Sequence, residues 1–68
     1  MLAPSQEFRR KADNCLSIAR TTHDISAKMA LIEMATEFRV LAEHFEREAA
    51  VRRTERIRRR VASLLRTR

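Results

Sequence analysis

Residues 27–45 read AKMALIEMATEFRVLAEHF, and this stretch decides the fold. Ala27, Leu31, Met34, Phe38, Leu41 and Phe45 recur at intervals of 4, 3, 4, 3 and 4. A half-buried strand would alternate every second residue, so the spacing predicts an α-helix with a heptad-like seam. Ala35, Ala42 and Ala49 flank that seam as small residues that let a neighbouring helix come close, and Ile32 widens the apolar side. Glu33, Glu37, Glu43 and Glu46 fall off the seam and read as a solvated face, with helix-stabilising pairs such as Glu43 with Arg47.

Working towards the N-terminus, Asp24 is a good N-cap for this helix, which is expected to begin near Ile25. Thr21–Thr22–His23–Asp24 interrupts helical periodicity, since two threonines weaken helix propensity. An earlier helix is expected over about residues 5–21. Pro4 suits its start, Ser5 can cap it, and Glu7 favours the positive end of its dipole. Phe8, Ala12, Cys15, Ala19 and Thr22 give it a stripe spaced 4-3-4-3, broadened by Leu16 and Ile18. The short link predicts an antiparallel hairpin.

Towards the C-terminus the seam turns charged at Glu48, Arg52 and Glu55 or Arg56. A new apolar set, Ala50, Thr54, Ile57, Val61, Leu64 and Leu65, lies roughly 120° around the helix from the first. Either the helix continues and turns a second face outward, or it breaks near residues 46–53. That stretch holds no Gly or Pro, so a continuous helix is expected. Charge divides at the same place: residues 1–48 carry seven basic and eight acidic side chains, and residues 49–68 carry eight Arg and one Glu. We therefore read an all-α chain with a helical hairpin over 1–48 (helices about 5–21 and 25–48) and a basic amphipathic helical extension over 49–68.

Composition narrows the function. The chain has 68 residues, 15 Lys+Arg against 9 Asp+Glu, no Gly, one Pro and one Cys. Without Gly there is no glycine-rich phosphate loop. One Cys cannot build a disulfide framework. No window approaches the ~20 apolar residues of a membrane span, and the charged first twenty residues are unlike a signal peptide. A free Cys15 suits a reducing interior, so a cytoplasmic setting is expected.

A two-helix hairpin buries one narrow strip per helix. Each fully buried large apolar side chain contributes roughly 1.5–3 kcal/mol, against roughly 1–2 kcal/mol of backbone entropy per ordered residue. The apolar side of the second helix is wider than one partner helix covers. Two hairpins pairing into a four-helix bundle would cover it, and so would docking on a larger protein. Phe8, Leu31, Met34, Phe38, Leu41 and Phe45 are the expected interface residues.

Candidate chemistry is sparse. Cys15 falls on the apolar stripe and reads as a small buried hydrophobe, not a nucleophile. His44 and Glu48 stand one turn apart, with Glu37 two turns before His44, which is short of a full metal ligand set. His23 belongs to the link. No catalytic residue, metal or cofactor is expected. The Arg residues of the extension, with Arg52, Arg53, Arg56, Arg59 and Arg60 as candidate contacts, suit phosphate or carboxylate recognition. Nucleic-acid phosphates, an acidic protein surface, an anionic membrane surface and a merely solubilising end are the alternatives. The first reading is thus a non-enzymatic interaction module that self-associates or joins a larger complex. The second is a nucleic-acid-binding accessory protein, with membrane attachment behind both.

The segments Phe8-Arg9-Arg10-Lys11-Ala12, Cys15-Leu16, Ala19-Arg20, Leu31-Ile32-Glu33-Met34-Ala35 and Leu41-Ala42-Glu43 together resemble a group of small helical-hairpin proteins common in α-proteobacteria. The resemblance covers residues 5–48 and implies a bacterial cytosolic hairpin. The group is largely of unknown function, so no active residues carry over. This chain departs from the group at Phe38, where Trp is frequent, at Ile25, where Pro is frequent, and in its longer Arg-rich end.

Overall fold

The computed structural model describes residues 2–66. The described residues form two α-helices in contact: α1, Pro4–Thr21, and α2, Ile25–Arg66. Thr67 and Arg68, the end of the expected extension, lie outside the described residues.

Helix α1 starts at Pro4, two positions earlier than a cap at Ser5 would place it. Ala3 is the N-cap, with extended backbone (φ −62°, ψ 152°), and Pro4 opens the helix, where its missing N–H costs nothing. Alanine has no side-chain acceptor. Instead the Gln6 carboxamide oxygen reaches back and accepts the Ala3 N–H at 3.1 Å, half of a capping box. Ser5 therefore lies inside the first turn and does not cap. At the other end the Thr21 and Thr22 hydroxyls both donate to the Ile18 carbonyl, at 3.1 and 2.7 Å. They take up an acceptor that the ending helix would leave open.

Asp24 caps α2. Its carboxylate accepts the Ala27 N–H at 3.3 Å, and its carbonyl accepts the first helical bond, from Lys28 at 2.9 Å. From there α2 runs 42 residues without a break, through residues 46–53 and on to Arg66. At ~1.5 Å per residue that is ~63 Å, nearly the whole 68 Å length of the molecule. Helix α1, with 18 residues, spans only ~27 Å.

The core between them is made of small side chains. Ala12, Cys15 and Ala19 of α1 and Ala35 and Ala42 of α2 are buried, and among the described residues no large side chain is fully buried. Leu16, Leu31 and Phe38 pack around Ala12, Cys15 and Ala35. On α1 this is the stripe expected from the 4-3-4-3 spacing. On α2 the buried register differs from the expected seam. Leu31, Ala35, Phe38, Ala42, Phe45 and Ala49 turn inward, whereas Met34 and Leu41 remain 45% and 40% exposed. Ala35 and Ala42, placed beside the seam on hydrophobicity, are its centre. The reason is distance. With Ala and Cys opposite them on α1, small residues let the helix axes approach, and Met or Leu there would hold them apart.

Candidate protein-interaction surface

At the open end of the pair, α1 and α2 are joined by rings and charges. Phe8 stacks on Phe38 and Phe45, with centroids 6.0 and 5.6 Å away. These distances fall in the favourable range for aromatic pairs. The Lys11 ammonium lies 5.7 Å from the Phe8 ring centre and 6.0 Å from that of Phe38, at the limit of cation–π attraction. The Arg9 guanidinium binds Glu46 through both carboxylate oxygens, at 3.0 and 2.8 Å. Thus four expected interface residues, Phe8, Leu31, Phe38 and Phe45, are engaged within the chain and half-buried. The other two, Met34 and Leu41, sit seven residues apart on one exposed flank of α2.

The Arg9 hydrogen bonds, with the guanidinium charge behind them, hold the Glu46 carboxyl below the ordinary glutamate range. Glu46 in return raises the Arg9 guanidinium. A lowered folded pKa means the contribution is complete above the unfolded glutamate value and is lost as pH falls through the folded one. Glu7 is lowered in the same direction by its hydrogen bond from Arg10, but within α1. Acidification from about pH 5 to pH 3 is therefore expected to loosen the joined end of α1 from α2. Helical melts of the parent and of Glu46→Gln check this. The parent should lose more thermal stability over that range than the variant, and equal losses would contradict the assignment.

Cover by α1 stops at Ala49. From Ala50 to Arg66 every residue is exposed except the half-buried Ala62. This overhang of ~26 Å carries Arg52, Arg53, Arg56, Arg59 and Arg60 on the side that continues the α1-facing seam. Glu55 lies 3.9 Å from Arg58 and 3.7 Å from Arg59. Arg52, Glu55, Arg56 and Arg59 line a shallow groove, and a second lies between His44, Arg47, Glu48, Val51 and Arg52. His44 reaches Glu48 at 3.3 Å and Arg47 reaches Glu43 at 4.0 Å, each within one helical turn. Among the described residues, no group of three or more His, Cys, Asp or Glu side chains gathers to hold a metal ion. Cys15 is a buried free thiol. No described helix is long and apolar enough to cross a membrane.

The apolar surface left over is large. Ile25, Met29, Ile32, Val40, Val51, Ile57, Val61 and Leu65 are exposed along α2, in addition to Met34 and Leu41. The accessible surface is 5991 Å². A compact monomer of 8.0 kDa would expose ~4,450 Å². The radius of gyration is 19.1 Å, against ~11 Å for a compact chain of this length. The sequence signal for this excess was the second apolar set after Ala49. The Arg9–Glu46 pair had no such signal, because it joins residues 37 positions apart. No family model, curated protein or solved structure matches the chain.

Proposed function

We propose that the chain is a non-enzymatic protein-interaction module: an antiparallel helical hairpin whose long second helix is completed as a bundle by another polypeptide. The observation that supports this reading is the run of exposed apolar side chains along α2, on a chain whose accessible surface exceeds that of a compact one of this mass by ~1,500 Å². A run of exposed apolar side chains of this length marks an association surface. A copy of the chain itself is the simplest occupant, because every copy carries the same uncovered faces. A cytoplasmic setting accords with the buried free thiol.

Folding coupled to association makes thermal stability depend on concentration. The melting temperature of the helical signal should rise steadily as the protein is taken from about 1 to 100 µM. A cooperative melt at one temperature throughout that range contradicts the module.

A second reading is supported by the overhang. Arg52, Arg53, Arg56, Arg59 and Arg60 project on one side of a helix that has outrun its neighbour. In this reading they neutralise nucleic-acid phosphates. Five such contacts on duplex DNA would give a log–log slope of binding against salt of about −4.5. A slope near zero, or undiminished binding after deletion of residues 52–68, would eliminate it.

A further inference from the structure

One exposed face of α2 is symmetric about its own middle. Ile25, Met29, Ile32, Thr36, Arg39, Glu43, Arg47, Ala50, Thr54, Ile57, Val61 and Leu65 advance in steps of three or four. At about 100° per residue they share a stripe centred roughly 125° from the side that meets α1. Its apolar members are 43% to 74% exposed, apart from Ala50, which is also exposed. Ile25 and Leu65 are equidistant from position 45. So are Met29 and Val61, Thr36 and Thr54, and Glu43 and Arg47, while Ile32 and Ile57 miss by half a residue. Laid antiparallel on itself with the two-fold axis at that level, the stripe opposes apolar to apolar, Thr to Thr and acid to base.

We infer that this outer face of α2 is the interface of a two-fold symmetric antiparallel dimer of the chain. The inference rests on the interaction-module reading and specifies its partner. Charge selects the direction. Residues 25–48 carry three basic and five acidic side chains, and residues 49–66 carry seven Arg and one Glu. Antiparallel pairing lays the basic half of each copy along the acidic half of the other. Parallel pairing lays basic on basic, which is repulsive. Area is sufficient, since a standard interface covers ~800 Å² per partner and each chain exposes ~1,500 Å² more than a compact one. The same register brings Arg58 of one copy to within one residue of the level of Glu33 of the other at the edge of the stripe, and sets Glu43 of each copy opposite Arg47 of the other near the axis.

Glu33 and Arg58 are 25 residues apart in one unbroken helix, hence ~37 Å apart, and cannot touch within a chain. Energetic coupling between them is therefore a signature of the dimer. Glu33→Arg and Arg58→Glu should each raise the dimer dissociation constant about tenfold, and the double exchange should bring it back to within about threefold of the parent. Separately, Met29→Cys with Val61→Cys, in a Cys15→Ala background, should yield cross-linked dimers on oxidation. Met29→Cys alone should yield none, its two copies being far beyond disulfide reach. A dimer with additive single effects, or one cross-linked by Met29→Cys alone, overturns this face and register while leaving self-association standing. A chain that is monomeric at every concentration overturns both.

Discussion

Ala42→Leu is expected to lower the melting temperature of the helix pair by about 10–20 °C. Ala42 is fully buried, Ala35 is 1% exposed, and Ala12 and Ala19 of α1 are buried with them. The two helices meet across side chains one methyl long, and an isobutyl group has no space there. Overpacking a close contact typically costs ~1–3 kcal/mol. In a chain of this size each kcal/mol moves the midpoint by ~4–8 °C. Among the described residues no fully buried large side chain offsets the loss. Ala30→Leu is the control. It adds the same atoms to the same helix at an exposed position, and surface changes of that kind stay within about ±0.5 kcal/mol. Helical melts at matched concentration distinguish the two, and equal losses would mean that the face of α2 holding Ala35 and Ala42 is not the core.

The largest effect on association is expected from Ile57→Ser combined with Val61→Ser. Both side chains are about half exposed and both stand beyond the cover of α1, so the contacts within the pair are untouched. In a two-fold dimer each substitution acts twice. Full burial of such side chains contributes roughly 1.5–3 kcal/mol each. With about half of that realised at a two-helix contact, four lost side chains amount to ~4 kcal/mol, a weakening of ~10³-fold. Met34→Ser with Leu41→Ser changes two equally exposed side chains on the opposite flank of α2 and should shift dimer dissociation by less than about threefold. Should the Met34 and Leu41 pair prove the damaging one, the interface lies on that flank instead.

How far the residues disclosed this arrangement varies along the chain. The stripe Phe8, Ala12, Cys15 and Ala19 was legible because apolar and small positions coincide there. Asp24 was legible as a cap because its chemistry is local. The buried register of α2 was not. Met34 and Leu41 outrank Ala35 and Ala42 in hydrophobicity, yet close packing against Ala12 and Cys15 selects the smaller side chain. A scale that ranks residues by transfer free energy sees the gain from burial and not the distance a side chain imposes. The Ala3 start was hidden for a related reason: its capping bond comes from Gln6, three residues downstream. The end of α1 cover at Ala49 depends on where Arg9 finds Glu46 and where Phe8 finds Phe45, which periodicity does not encode. The second apolar set and the charge division at Ala49 were plain in the sequence, and the symmetric outer face of α2 grows from them.

One copy of this chain, in the reading proposed above, leaves more apolar helix uncovered than it can hide and closes that surface with a second copy. Sedimentation equilibrium of the full-length protein across about 1–100 µM reads this directly. The mass should move towards twice 8.0 kDa as concentration rises, with the helical signal increasing alongside it. A folded, cooperative species of 8.0 kDa at every concentration contradicts it.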